Sequence, residues 1–153
     1  MLDAPTPGVH SAAMRAQPLL SVHDVEAASG FYQRLLGVRS DHGGPEYERL
    51  VTPDGQLVLQ LHSFAAEHHH GAIGDPADRP YGNGVLLWFE IEDFDAAVAR
   101  VEELGAEIVL APHRNPPEGD GGPNHREIWL RDRDGYCVVL ASPDGEATAG
   151  SNT

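Results

Sequence analysis

The chain has 153 residues, 41% of them apolar, which suits one domain with a real core. Ten arginines and no lysine face 24 acidic residues, for a formal charge of -14. That balance argues against nucleic acid or an anionic membrane as partner, since both need a basic face, and the lack of lysine excludes Schiff-base and lysine-base chemistry.

Residues 1–14 are rich in Pro, Gly, Ala and Ser without periodicity and read as a disordered lead-in. They lack the basic and hydrophobic regions of a signal peptide, and no apolar run is long enough to span a membrane, so a cytoplasmic location is expected. Residues 17–22 predict a short strand. Asp24 then caps a helix closed by Gly37, whose apolar positions Val25, Ala28, Phe31, Tyr32, Leu35 and Leu36 recur at helical spacing. A strand over 47–52, a Pro53-Asp54-Gly55 turn and a strand over 56–62 follow. The last alternates strictly, so its leucines face one side while Val58, Gln60 and His62 face the other. Residues 65–83 read as a linker. Its His68-His69-His70 run reads as a solvated loop, because consecutive imidazoles point in different directions. His23, in the turn before the first helix, reads as structural.

The second half repeats this order: a strand over 85–91, a helix from about Asp95 to Leu104 closed by Gly105, and a strand over 106–110. A loop rich in proline and glycine between Arg114 and Asn124 leads to a strand over 126–130, a turn at Arg133-Asp134-Gly135 and a strand over 136–141. Asp134 and its acidic neighbours read as turn formers and exposed charge. Cys137, the only cysteine, leaves no intramolecular disulfide, suits a reducing compartment, and in its apolar strand reads as a small hydrophobe. Residues 143–153 read as a flexible tail. The halves also match in detail: Asp24-Val25-Glu26-Ala27-Ala28 parallels Asp93-Phe94-Asp95-Ala96-Ala97, Leu36-Gly37 parallels Leu104-Gly105, and Asp54-Gly55 parallels Asp134-Gly135. Such self-similarity implies one duplicated unit, with modules over 15–64 and 84–142 in a single domain.

Phe31-Tyr32 with Leu36-Gly37, the Asp-Phe-Asp-Ala-Ala helix start and Trp129-Leu130-Arg131-Asp132-Arg133-Asp134-Gly135-Tyr136 resemble the vicinal oxygen chelate superfamily, which includes glyoxalase I, extradiol dioxygenases and bleomycin-resistance proteins. The family form usually has proline where Arg133 stands. The resemblance implies an α+β fold of two βαβββ modules whose mixed sheet forms a cup with helices outside, and pairing into a homodimer. Metal enzymes of that family place one ligand on each of four strands, and the matching positions here are Gln17, Gln60, Leu86 and Val139. Two amides and two hydrocarbons do not supply the charged or imidazole donors a divalent ion needs, so no metal or other cofactor is expected at those positions.

Strand parity sets what fills the cup: Val58, Gln60 and His62 on one strand, Leu86, Trp88 and Glu90 on another, Glu127 and Trp129 on a third, and Cys137, Val139 and Ala141 on the last. Two tryptophans with aliphatic groups and a few polar ends suit a planar or amphipathic organic ligand. The expected ligand-binding set is therefore Gln17, Gln60, His62, Trp88, Glu90, His113, His125, Glu127, Trp129 and Val139, with His113 and His125 flanking the loop at the cup mouth. His62, Glu90 and Glu127 are the candidates for acid-base work or for a non-standard metal set. The leading reading is metal-independent binding of a small aromatic or amphipathic molecule. The alternative is a metal-dependent lyase, isomerase or dioxygenase with displaced ligands.

Overall fold

A computed structural model describes residues 13–115 and 124–146. Most of the lead-in, the middle of the loop after Arg114 and the end of the tail lie outside the described residues. The first module runs β1 (Leu19–Val22), α1 (Val25–Leu36), β2 (Arg39–Ser40), β3 (Tyr47–Val51) and β4 (Leu57–Ser63). The second runs β5 (Leu86–Glu90), α2 (Phe94–Leu104), β6 (Ile108–Asn115), β7 (His125–Arg131) and β8 (Cys137–Ala141). The duplicated βαβββ order is thus present, as an α+β chain with two four-stranded sheets ordered β1-β4-β3-β2 and β5-β8-β7-β6. In each sheet the first strand lies parallel to the last and the other pairs are antiparallel. A parallel pair needs a crossover, and α1 and α2 begin the crossover of their modules.

The helix boundaries follow from local chemistry. The Asp24 carboxylate accepts from the Ala27 N–H at 3.0 Å and Gly37 closes α1 at φ 70°. Asp93 accepts from Ala96 at 3.1 Å and Gly105 closes α2 at φ 64°. Each cap is worth about 1 kcal/mol, and the positive φ suits glycine, which has no Cβ to clash. The cap of α2 falls at Asp93, so the helix starts slightly before the expected Asp95. Two strand features depart from expectation. β2 is a pair of exposed residues matched to Leu50 and Val51, too short and polar to show alternation. β6 continues to Asn115 rather than ending at 110, with register breaks that hide its periodicity; its Pro112 is tolerated because β6 is an edge strand.

Leu59 and Leu61 on β4, Leu50 on β3, Ile128 and Leu130 on β7, and Val138 and Leu140 on β8 share one buried core with Val25, Phe31, Tyr32 and Leu35 of α1 and Phe94, Ala97 and Val101 of α2. The helices therefore cover one face of each sheet, and the other face is helix-free. Polar contacts, buried or partly buried, join the modules. The Tyr32 hydroxyl donates to Asp132 at 2.5 Å, the His23 N–H to Asp134 at 2.9 Å, and the Tyr136 hydroxyl to the Ser21 carbonyl at 2.8 Å. Asp134 is thus buried rather than exposed, because the β7–β8 turn docks against the first module. Burial, reinforced by Asp132 and Asp134, pushes the Tyr136 phenol up to about 12.

Candidate functional site

Register places the site residues in rows on the helix-free face of the second sheet. Trp88 of β5 pairs with Val139 of β8, which pairs with Trp129 of β7, which pairs with Leu110 of β6. The next row holds Glu90, Ala141, Glu127 and His113. Val139 is fully buried as the floor, whereas Trp88 is 46% exposed and its ring meets the His125 ring edge-on at 5.7 Å.

Glu127 organises this face. It is only 2% exposed, yet it accepts from Trp129 Nε1 at 2.8 Å, His125 Nε2 at 2.7 Å, His113 Nε2 at 3.1 Å and Asn115 Nδ2 at 3.3 Å. Burial alone pushes the carboxyl up, but the four donors outweigh it and leave its pKa below the ordinary glutamate range. Four donors match the roughly four lone-pair sites of a carboxylate, so Glu127 is fully committed and serves to orient its neighbours. Glu90 stands exposed at the end of β5.

On the first sheet the helix-free face carries Leu19, Tyr47, Gln60 and His62. Gln60 is engaged at both ends of its amide: its oxygen accepts from the Tyr47 hydroxyl and its nitrogen donates to the Gln17 carbonyl at 3.0 Å. The Gln17 residue itself is exposed. The 42–46 loop and linker residues His68, His69, His70 and Ile73 close over this face and leave an open cavity of about 640 Å³. His62 lines it at 3% exposure, and its Nε2 has no hydrogen-bond partner among the described residues.

The structure therefore brings Trp88, His113, His125, Glu127, Trp129 and Val139 together on one face, with Glu90 at its rim, and places Gln17, Gln60 and His62 on the other. The cavity that His62 lines takes its walls from the first module and linker. Sequence reasoning left out Tyr47, on a strand whose register was not assigned, and Asn115, which was read as part of the loop and stands at the end of β6. It also left out the return of His68 and His70 onto His62, with ring centroids 5.1 Å from the His62 ring in both cases. His68, His69 and His70 are exposed turn residues, as a solvated loop requires, but the reading did not foresee that His68 and His70 return to His62: a long linker that packs on a sheet face carries no periodic signal.

A model of the Glyoxalase/Bleomycin resistance protein/Dioxygenase superfamily matches residues 13–140. The chain belongs to that superfamily. It is 35% identical over 102 residues to the anthracycline biosynthesis protein DnrV of Streptomyces peucetius, covering 58% of this chain and 34% of that protein, so it spans about a third of that relative's length. Among solved structures it is similar to a mobile-metagenome cassette protein of V. Pseudocholerae, with TM-score 0.62 and 21% identity, covering 88% of this chain and 97% of that one. TioX from Micromonospora sp. ML1 also gives TM-score 0.62, at 16% identity, covering 86% of this chain and 99% of that one. At such identities the structural likeness concerns the fold.

The metal positions of the superfamily do not fit an ion here. Gln60 spends both amide ends on Tyr47 and Gln17, while Leu86 and Val139 offer no donor atom and stand on the other sheet. Among the described residues the group of metal-capable side chains that does converge is His62, His68 and His70.

Proposed function

We propose that the protein binds a small aromatic or amphipathic organic molecule against the helix-free face of the second sheet, along the row from Trp88 to Trp129. The observation that carries this reading is the exposure of Trp88, at 46%, with Leu86 and Leu110 also exposed in the same sheet. An indole left in water on a sheet face gains several tenths to a few kcal/mol when an aromatic partner covers it, roughly in line with apolar burial and ring stacking. Trp88 and Trp129 stand two strand spacings apart, about 10 Å, with Val139 between them, so a planar ring system laid along the row meets both indoles. Glu127, held by His113 and His125, fixes the Trp129 indole, and Glu90 meets polar substituents at the rim. The likeness to a protein of anthracycline biosynthesis supports a polycyclic aromatic ligand.

In this reading Glu127 orients its neighbours rather than taking a proton itself, because it already accepts four hydrogen bonds. Gln17, Gln60 and His62 join the same ligand when a second chain brings its first sheet opposite, and the homodimer expected from the resemblance does this. Leu19 and Leu86, exposed on the edge strands β1 and β5, suit such pairing. The test is titration with an anthracycline, read by quenching of tryptophan fluorescence. Saturable quenching that weakens at least tenfold in Trp129→Ala supports the reading; equal affinity in that variant overturns it.

A further inference from the structure

We propose that His62, His68 and His70 form a binding site for a divalent first-row transition ion, of which Zn²⁺ is the representative, with an open coordination position facing the cavity over the first sheet. Within one chain the site lies on the first sheet, away from the Trp88–Trp129 face; His62 is shared with the dimer reading above, but the ion is held by one chain and its binding is measured without the organic ligand.

One ring nitrogen from each of the three histidines lies within 4.8 Å of one from each of the others. Tetrahedral coordination at the usual Zn–N distance asks for nitrogens about 3.3 Å apart, so modest side-chain rotation closes the set. Two of the three come from the linker, where rotation is cheap, and the third is anchored in β4.

The hydrogen bonds around the rings decide which nitrogens carry lone pairs. His62 Nδ1 contacts the Ser63 carbonyl at 2.8 Å and His70 Nδ1 contacts the Gly71 carbonyl at 2.7 Å. A carbonyl only accepts, so each Nδ1 is the N–H and each Nε2 keeps its lone pair. His68 Nε2 contacts the Glu46 carboxylate at 2.9 Å, which leaves its lone pair on Nδ1. Each ring is thus oriented by one N–H to an oxygen acceptor while the other nitrogen stays a base, which is the outer-shell arrangement of metal-ligating histidines. The buried Nε2 of His62 lines the cavity without a partner among the described residues, although a buried polar nitrogen ordinarily has one. An ion supplies that partner.

The donor set selects the ion class. Three imidazoles suit zinc, copper, nickel or cobalt and not the oxygen-seeking calcium or magnesium. Three protein ligands leave the fourth position for water or for an oxygen of a small molecule in the roughly 640 Å³ cavity. The formal charge of -14 favours a cation.

The experiment titrates the full chain, free of any affinity tag, with Zn²⁺ by calorimetry and with Co²⁺ by visible absorption. The expected result is one ion per chain and the intense visible bands of four-coordinate Co²⁺. His62→Ala and His70→Ala each weaken binding by about 100-fold or more, and Glu46→Gln by about 10- to 100-fold, in line with ligand and outer-shell losses. His69→Ala changes affinity by less than about threefold, within the scatter of a residue outside the ligand set. Because His70 is exposed, its variant keeps the test valid even if His62→Ala unfolds. Weakening by His69→Ala equal to that by His70→Ala shows capture by an exposed histidine run and overturns the proposal. So does the absence of stoichiometric binding, or an unchanged affinity in His70→Ala.

Discussion

The hydroxyl of Tyr32, on the helix of the first module, donates a 2.5 Å hydrogen bond to the carboxylate of Asp132, in the β7–β8 turn of the second. Both residues are buried, and the other oxygen of Asp132 accepts the N–H groups of Asp134 and Tyr136 at 2.9 Å each. Burial pushes the Asp132 carboxyl above its ordinary range, against the pull of these donors. Tyr32→Phe removes the donor that crosses between modules and leaves that oxygen unpaired. The expected cost is about 1.5–3 kcal/mol, as for a hydrogen bond to a charged group. Thermal or urea unfolding of the variant measures it; unchanged stability means that the contact does not hold the modules together.

Another buried carboxylate, shifted in the direction opposite to Asp132, makes the fold acid-sensitive. Glu48, on the helix side of β3, accepts from the hydroxyls of Ser29 at 2.9 Å and Ser40 at 2.7 Å and from the N–H groups of Gly43 and Arg49 at 2.9 Å each. Burial alone raises its pKa, but these donors bring it below the ordinary glutamate range. A carboxylate with a depressed folded pKa contributes stability that is complete above its unfolded pKa and lost as the pH falls through its folded pKa. Glu127 has the same sign. Unfolding midpoints measured down through the acid range should therefore fall below the ordinary carboxylate pKa, and fall less steeply in Glu48→Gln.

Glu127→Gln tests whether the carboxylate orients the aromatic face. An amide of the same shape has one accepting oxygen, and its NH₂ meets donors that now repel it. About 1–3 kcal/mol of stability should be lost, the cost of leaving buried donors unpaired. Ligand affinity should fall with it because the Trp129 indole loses its anchor. Affinity that holds while stability drops separates a structural role from a binding one.

How much of this was legible depended on range. Asp24, Gly37, Asp93 and Gly105 act within a few residues of themselves, so the caps and the duplicated order could be read directly. The period of two placed Gln60 with His62, Trp88 with Glu90, and Glu127 with Trp129 on their faces. Docking had no such signal: nothing local in the Arg131–Asp134 run shows that Asp132 and Asp134 turn inward against Tyr32 and His23. The path of the linker, which folds His68 and His70 back onto His62, was equally silent. The division of the site between two sheets also escaped, because parity assigns a face and not the partner across from it.

Pairing of chains is expected to need the edge strands. Leu86→Arg puts a charge on the exposed edge of β5, and sedimentation should show its self-association weakened relative to the natural chain while thermal unfolding changes little, as for a surface substitution of about 0.5 kcal/mol or less. A natural chain that sediments as a monomer, or a variant that associates equally well, removes the arrangement that brings Gln60 and His62 opposite the tryptophans.

Ligand binding at the tryptophan row is tested most directly by the indole N–H signals. The chain has two tryptophans, and so two such signals in a nitrogen-proton correlation spectrum, each assigned by single replacement with phenylalanine. Addition of an anthracycline should shift both together, saturably and with one affinity. Signals that stay in place while other resonances move saturably put the ligand elsewhere and contradict the proposed site.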